Sequence, residues 1–141
     1  MEPVDVGALP RGAVLLVDTA PIIYTLESNP KFAARFAPIF QLHAKGEITL
    51  AISTVTIAEV LTGPLRTGEE ALAKRYRAVL ESWQVVELNV DVAESAARLR
   101  GSYRLKLPDA IQLASALSIN AHALVTHDRD FAQVRGLRIL C

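Results

Sequence analysis

The sequence predicts an α/β fold, a mostly parallel central sheet of about five strands covered by helices on both faces, in three layers. Two observations predict it. Short runs rich in Val, Ile and Leu recur along the chain, and the longer segments between them return an apolar residue every three or four positions. A run that is apolar at successive positions is a strand buried on both faces, the condition of a parallel sheet whose crossover helices cover both sides.

The first run, AVLLVD (13–18), is a strand that ends on a carboxylate, and TAPIIYTL begins the helix that leaves it. PKFAARFAPIFQLHAKG has helical spacing; Pro38 is expected to kink or split that helix, and Gly46 to close it before the second strand, ITLAIS (48–53). STVTIAEVL opens the next helix, EEALAKRYRAVLESW another, and QVVEL (84–88) is the third strand. Asn89 is placed to cap the helix VAESAARLRGSYR, and Pro108 suits the first turn of PDAIQLASALSIN. HALVT (122–126) and LRIL (137–140) complete the sheet. Residues 1–12, with Pro and Gly and little periodicity, read as a loosely held N-terminal arm, and 13–141 as a single domain. No internal repeat, low-complexity tract or linker interrupts it.

Length and composition agree with one ordered domain: 141 residues, 51% hydrophobic and 21% charged. Lys plus Arg equals Asp plus Glu at 15 each, so any nucleic-acid binding must come from local patches and not from the net charge. The single cysteine, Cys141, allows neither an internal disulfide nor a thiolate metal cage, which suits a reducing cytoplasm. The N-terminus MEPVDVGALPRG lacks the basic and apolar regions of a secretory signal, and no segment approaches the ~20 apolar residues of a membrane span. A cytoplasmic protein with no membrane partner is expected.

Several familiar sites are missing. No two glycines have the spacing of a dinucleotide-binding turn, and no glycine precedes Lys and then Ser or Thr as in a phosphate-cradling loop. His43, His122 and His127 are not spaced as a helical zinc pair, and no G-x-S-x-G offers a serine nucleophile. A phosphotransferase of the D-x-D kind would need a second acid where Ala20 stands. What remains is acidic.

Ligands of open α/β sheets bind beyond the carboxyl ends of the strands. Asp18 lies at such an end, Glu59 about one and a half turns into the helix after the second strand, Asp109 in the first turn behind Pro108, and Asp128 two residues past Thr126. Each acid alone has a structural use, at a helix start or in a polar turn. Four at one edge would repel one another unless a cation compensated them. All-oxygen ligands favour a hard ion, Mg²⁺ or Mn²⁺, which polarises phosphoryl oxygens and activates water. The chemistry implied is phosphodiester hydrolysis.

Four motifs in this order, LLVDTAPIIYTL, ISTVTIAEVL, LPDAIQLASAL and ALVTHDRDF, followed by GLRIL, resemble the PIN-domain family, most closely the VapC-type toxins of toxin–antitoxin pairs. The resemblance runs from about Val14 to Leu140. It implies a PIN-like sheet with helices on both sides and a Mg²⁺- or Mn²⁺-dependent endoribonuclease. Asp18, Glu59 and Asp109 match the family's three acids, and Asp128 its more variable fourth, with Asp130 a second candidate for that place. Thr126 would order the site through its hydroxyl, as would Ser53 or Thr19. The resemblance also implies a homodimer and an antitoxin partner.

Arg98, Arg100, Arg104 and Lys106 form a run without acids just before Asp109 and are candidates to hold RNA phosphates; Lys74, Arg75 and Arg77 are a weaker cluster. Tyr24, Tyr103 and Trp83 could stack bases, but at helical spacing they fit a core or an interface, so no contact is assigned to them. Ile22, Ile23, Phe32, Phe36, Ile39 and Phe40 give a wide apolar face, part of it for the sheet and any excess for a partner helix. A different class of reading is a PIN-like dimeric binding module or co-repressor with little catalysis, motivated by the absence of net positive charge.

Overall fold

Five parallel strands stand in the order β3-β2-β1-β4-β5 in the structure, a computed structural model that describes residues 2–141. They are β1 (Ala13–Val17), β2 (Ile48–Ser53), β3 (Gln84–Val86), β4 (Ala123–Val125) and β5 (Arg138–Leu140). Six α-helices complete the layers: α1 (Thr19–Leu26), α2 (Ala33–Ala44), α3 (Thr54–Arg66), α4 (Glu70–Glu81), α5 (Val90–Ser102) and α6 (Leu107–Ser118). A 3₁₀ turn, Arg129–Gln133, joins β4 to β5. Each expected strand is present, and all but the second are trimmed at their ends. None of the helices is long and apolar enough to cross a membrane among the described residues.

Alternation along the strands sorts the core into two layers. Leu15 and Val17 of β1, Leu50 and Ile52 of β2, and Val125 of β4 face a cluster that holds Ile22 of α1, Phe36 and Ile39 of α2, and Leu80 of α4. Leu16, Ala51 and Leu124, one residue out of phase, face Val92 and Ala96 of α5, Leu113 and Ala114 of α6, and Phe131. This is the period-two geometry of a strand with both sides covered. Helix α6 is buried at every position from Ala110 to Ala116, which accounts for its nearly unbroken run of small and apolar residues.

The helix punctuation is local chemistry. Asn89 caps α5, its side chain accepting from Val92 N–H at 2.9 Å, and Gly46, at φ +73°, supplies the left-handed residue just past α2. Helix α2 runs unbroken through Pro38, so the expected split does not occur. Phe36 and Ile39, on either side of the proline, are fully buried and hold the helix on the sheet. Residues 2–12 of the N-terminal arm have no regular structure but are tied to the body at two places: Val4 is buried and its N–H donates to Arg35 O, and Gly12 N–H donates to Glu47 O, each at 2.8 Å.

The chain builds outward from β1 through β2 to β3, then returns to place β4 on the other side of β1. That reversal between β1 and β4 is where two loops diverge and leave a crevice at the carboxyl edge.

Candidate metal centre

An open cleft of about 580 Å³ occupies that crevice, with Asp18, Glu59, Asp109 and Asp128 in its lining beside Tyr24, His127 and Arg129. Asp18 is there because β1 ends in extended backbone, φ −68° and ψ 164°, while its N–H donates across the sheet to Val125 O at 2.8 Å. Its side chain caps α1. Oδ1 accepts from Thr19 N–H at 2.8 Å and Oδ2 from the Thr126 hydroxyl at 2.9 Å.

Thr126 is fully buried and has two tasks: its O–H donates to Asp18, and its oxygen accepts the N–H of Asp128 at 3.0 Å. One hydroxyl therefore sets two acids from β1 and the β4 loop at a fixed separation. Asp128 Oδ1 in turn accepts Asp130 N–H at 2.8 Å and starts the 3₁₀ turn.

Glu59 is held by a relay of hydroxyls. Gln112 Nε2 donates to Thr56 Oγ1 at 2.7 Å, Thr56 and Thr19 hydroxyls lie 3.0 Å apart, and Thr19 donates to Glu59 Oε1 at 2.8 Å. Each hydroxyl has one proton, so with Thr19 committed to Glu59, Thr56 must donate to Thr19 and accept from Gln112. Ser53 caps α3 by accepting Thr56 N–H at 3.3 Å and touches none of the four acids. Of the three hydroxyls expected to order the site, Thr126 and Thr19 each donate to an acid and Ser53 does not.

Asp109, in the first turn of α6, has the least compensated carboxyl. Its Oδ2 is buried and receives no hydrogen bond. Burial first, then the charges of Asp128 and Asp18, push it from 3.8 up to about 7, and a retained proton shared with Asp128 adds to the rise. Asp18 is also raised, chiefly by burial and against the pull of its two hydrogen bonds. The hydroxyl of Tyr24 is held protonated by desolvation and by the nearby Asp18 charge.

Oxygens of Asp109, Asp128 and Asp130 come within 4.8 Å of one another, close enough to share an ion. Asp128 lines the cleft, while Asp130 is exposed at its rim. The donor set is all oxygen and one buried oxygen lacks a partner, so the residues present fit a hard divalent cation.

None of the four basic side chains proposed before Asp109 lines this cleft. Arg98 pairs with Glu94 at 3.2 Å, Arg100 donates to Leu105 O at 3.3 Å, and Arg104 and Lys106 are exposed. The cation at the acids is Arg129. Arg129, His127, Thr56 and Gln112 were not singled out from sequence as site residues. A signal existed for two of them: His127 and Arg129 flank Asp128 in THDRD, and alternate residues of a tight turn share a neighbourhood.

Residues 15–137 match the family model described as PIN domain. No curated protein matches the chain. Among solved structures, a toxin–antitoxin complex from Klebsiella pneumoniae is 31% identical with a TM-score of 0.68, over 87% of this chain and 94% of that one. VapBC-1 from nontypeable Haemophilus influenzae is 24% identical with a TM-score of 0.67, over 89% and 96%. VapC20 from Mycobacterium tuberculosis, a Sarcin-Ricin loop cleaving toxin, is 17% identical with a TM-score of 0.67, over 90% and 99%. At that identity the last two show the likeness of fold.

Proposed function

The chain belongs to the PIN domain family, and from that membership we propose that it is a Mg²⁺- or Mn²⁺-dependent endoribonuclease, the toxin half of a toxin–antitoxin pair. The observation that carries the reading is the meeting of Asp18, Glu59, Asp109 and Asp128 in one cleft, with a buried Asp109 oxygen unpartnered. Asp109 and Asp128, whose oxygens come within 4.8 Å of each other and of Asp130's, would hold the ion, and Asp18 and Glu59 would complete its surroundings from the same cleft. Bound there, a hard divalent ion polarises a phosphoryl oxygen and offsets the charge that develops on it.

The chain's own groups do the rest. Thr126 and Thr19 N–H fix both oxygens of Asp18, so its lone pairs do not turn away when substrate enters. Thr19 occupies Oε1 of Glu59 and leaves Oε2 to accept a proton from the attacking water. Asp109, poised near neutrality, holds a proton on the free enzyme that a cation would displace. Residues 13–141 are the catalytic domain on this reading, and 1–12 an arm added to it. The protein would act in the cytoplasm as a homodimer.

An antitoxin partner is supported by the K. pneumoniae structure, whose chain is similar over most of its length. A second feature suits it. Ile22, Phe36 and Ile39 are spent on the core, but Ala33, Ala34, Ala37, Phe40 and Ala44 line an open groove of about 440 Å³. Small residues on one helix face admit the close approach of another helix.

The test is cleavage of a broad RNA panel by purified chain freed of any antitoxin, with Mg²⁺, Mn²⁺ or EDTA, beside an equally folded Asp18→Asn variant. Cutting only by metal-loaded wild type is expected, with a loss of about 100-fold or more in the variant. Cutting that survives EDTA or the substitution overturns the reading. RNA left intact favours the dimeric binding module, which needs no Mg²⁺ site that calorimetry would detect.

A further inference from the structure

Beside the acidic cleft lies a smaller pocket of about 240 Å³ lined by Arg35, His127, Arg129 and Cys141. The two are contiguous, since His127 and Arg129 line both. The four carboxylates line only the first, and the second adds Arg35 and Cys141 to the shared His127 and Arg129. Among the described residues the side-chain ion pairs join Arg77 to Glu81 and Arg98 to Glu94, so no Asp or Glu side chain pairs with Arg129, while Arg35 is engaged by main-chain oxygens.

The pocket is also built. Arg35 is fixed by donating from Nη1 to Glu2 O at 2.5 Å and from Nη2 to Cys141 O. Nδ1 of His127 is hydrogen-bonded to the Tyr24 hydroxyl at 2.9 Å, and the ring lies against Phe32 and Phe36, with centroids 4.8 Å and 5.7 Å away. The imidazole is thereby clamped at the junction between the two pockets.

We propose that this pocket is a phosphate subsite for single-stranded RNA, taking the phosphodiester next to the one at the acids. The proposal rests on the nuclease reading and extends it. RNA is a chain of anions, and a cleft with four carboxylates repels every phosphate except the one met by a bound cation. A neighbouring phosphate needs fixed positive charge within reach, and a guanidinium matches a phosphate with two parallel hydrogen bonds. Arg129 supplies that charge, Arg35 adds to it from its place on the Glu2 and Cys141 oxygens, and His127 marks the path from one phosphate to the next.

The experiment follows a 5′-fluorescein-labelled single-stranded RNA of mixed sequence by anisotropy in EDTA across a salt series, then measures KM and kcat with Mg²⁺. Wild type, Arg129→Gln, Arg129→Lys and Lys45→Gln are compared. Lys45 is an exposed lysine just past α2 that lines neither pocket. Arg129→Gln is expected to weaken binding about fivefold to tenfold and to reduce the slope of log K against log salt by about 0.7. KM rises with it while kcat holds, Arg129→Lys recovers the slope, and Lys45→Gln matches wild type. An Arg129→Gln chain equal to wild type in affinity, slope and KM overturns the subsite and leaves the nuclease reading standing. A wild-type chain that neither binds nor cuts RNA overturns both.

Discussion

At the scale of single residues, Asp109 makes the sharpest statement, because its environment is paid for in pH dependence. Burial and three neighbouring acids hold its carboxyl at about 7 in the folded chain, against 3.8 ordinarily. Between those values the folded state keeps a proton that the unfolded state has released, so it is the folded state that binds more protons. Stability from this group is therefore full at low pH and is lost as pH rises from about 4 through about 7. Scanning calorimetry in EDTA should show the melting temperature falling across the upper part of that window, and Asp109→Asn should flatten the fall. Excess Mg²⁺ should flatten it too, since a cation replaces the proton. A slope unchanged in Asp109→Asn would mean that other groups set it. The four acids themselves were legible in the sequence, because each stands where an apolar period breaks. The hydroxyl of Thr56 and the amide of Gln112 were not, since a buried polar residue inside an apolar helix gives no local sign of what it bonds.

Among the elements, α2 shows where local rules and packing part company. Proline inside a helix removes one N–H and crowds the carbonyl four residues back, yet α2 continues from Ala33 to Ala44 across Pro38. Tertiary contacts through Phe36 and Ile39 outweigh that local cost. Pro38→Ala restores the bond to Ala34 O and should stabilise the chain by about 1 kcal/mol, the gain reduced by the extra freedom of the unfolded state. Urea unfolding checks it, and a midpoint that drops would show that the ring itself packs usefully against its neighbours. The strands behave in the opposite way. Their apolar runs could be read directly, and only the lengths needed trimming, because pairing ends where the partner strand does.

For the molecule as a whole, β1 is the member that everything else is placed against. Leu16, fully buried, is its contribution to the layer under α5 and α6, and Leu16→Ala should cost about 2–5 kcal/mol in chemical denaturation. Thr49→Ala, at an exposed position of the neighbouring strand, should stay within about 0.5 kcal/mol of wild type. A similar loss for both would deny β1 its central place. The order of strands was not legible. The sequence displays five apolar runs but not that the fourth lies beside the first, and so it could not tell that Tyr24 and His127, 103 residues apart, would share a hydrogen bond. The same reversal has a consequence in time. Asp18 leaves the ribosome well ahead of the threonine that orients it and the acid that completes the cleft, which come 108 and 110 residues later, just past a strand that must still insert beside β1. A growing chain that folds from its N-terminus carries Asp18 and Glu59 long before it carries the whole cleft. On the reading proposed above, a nascent toxin is harmless to the RNA of the machine that makes it until β4 and Asp128 have emerged and taken their places beside β1.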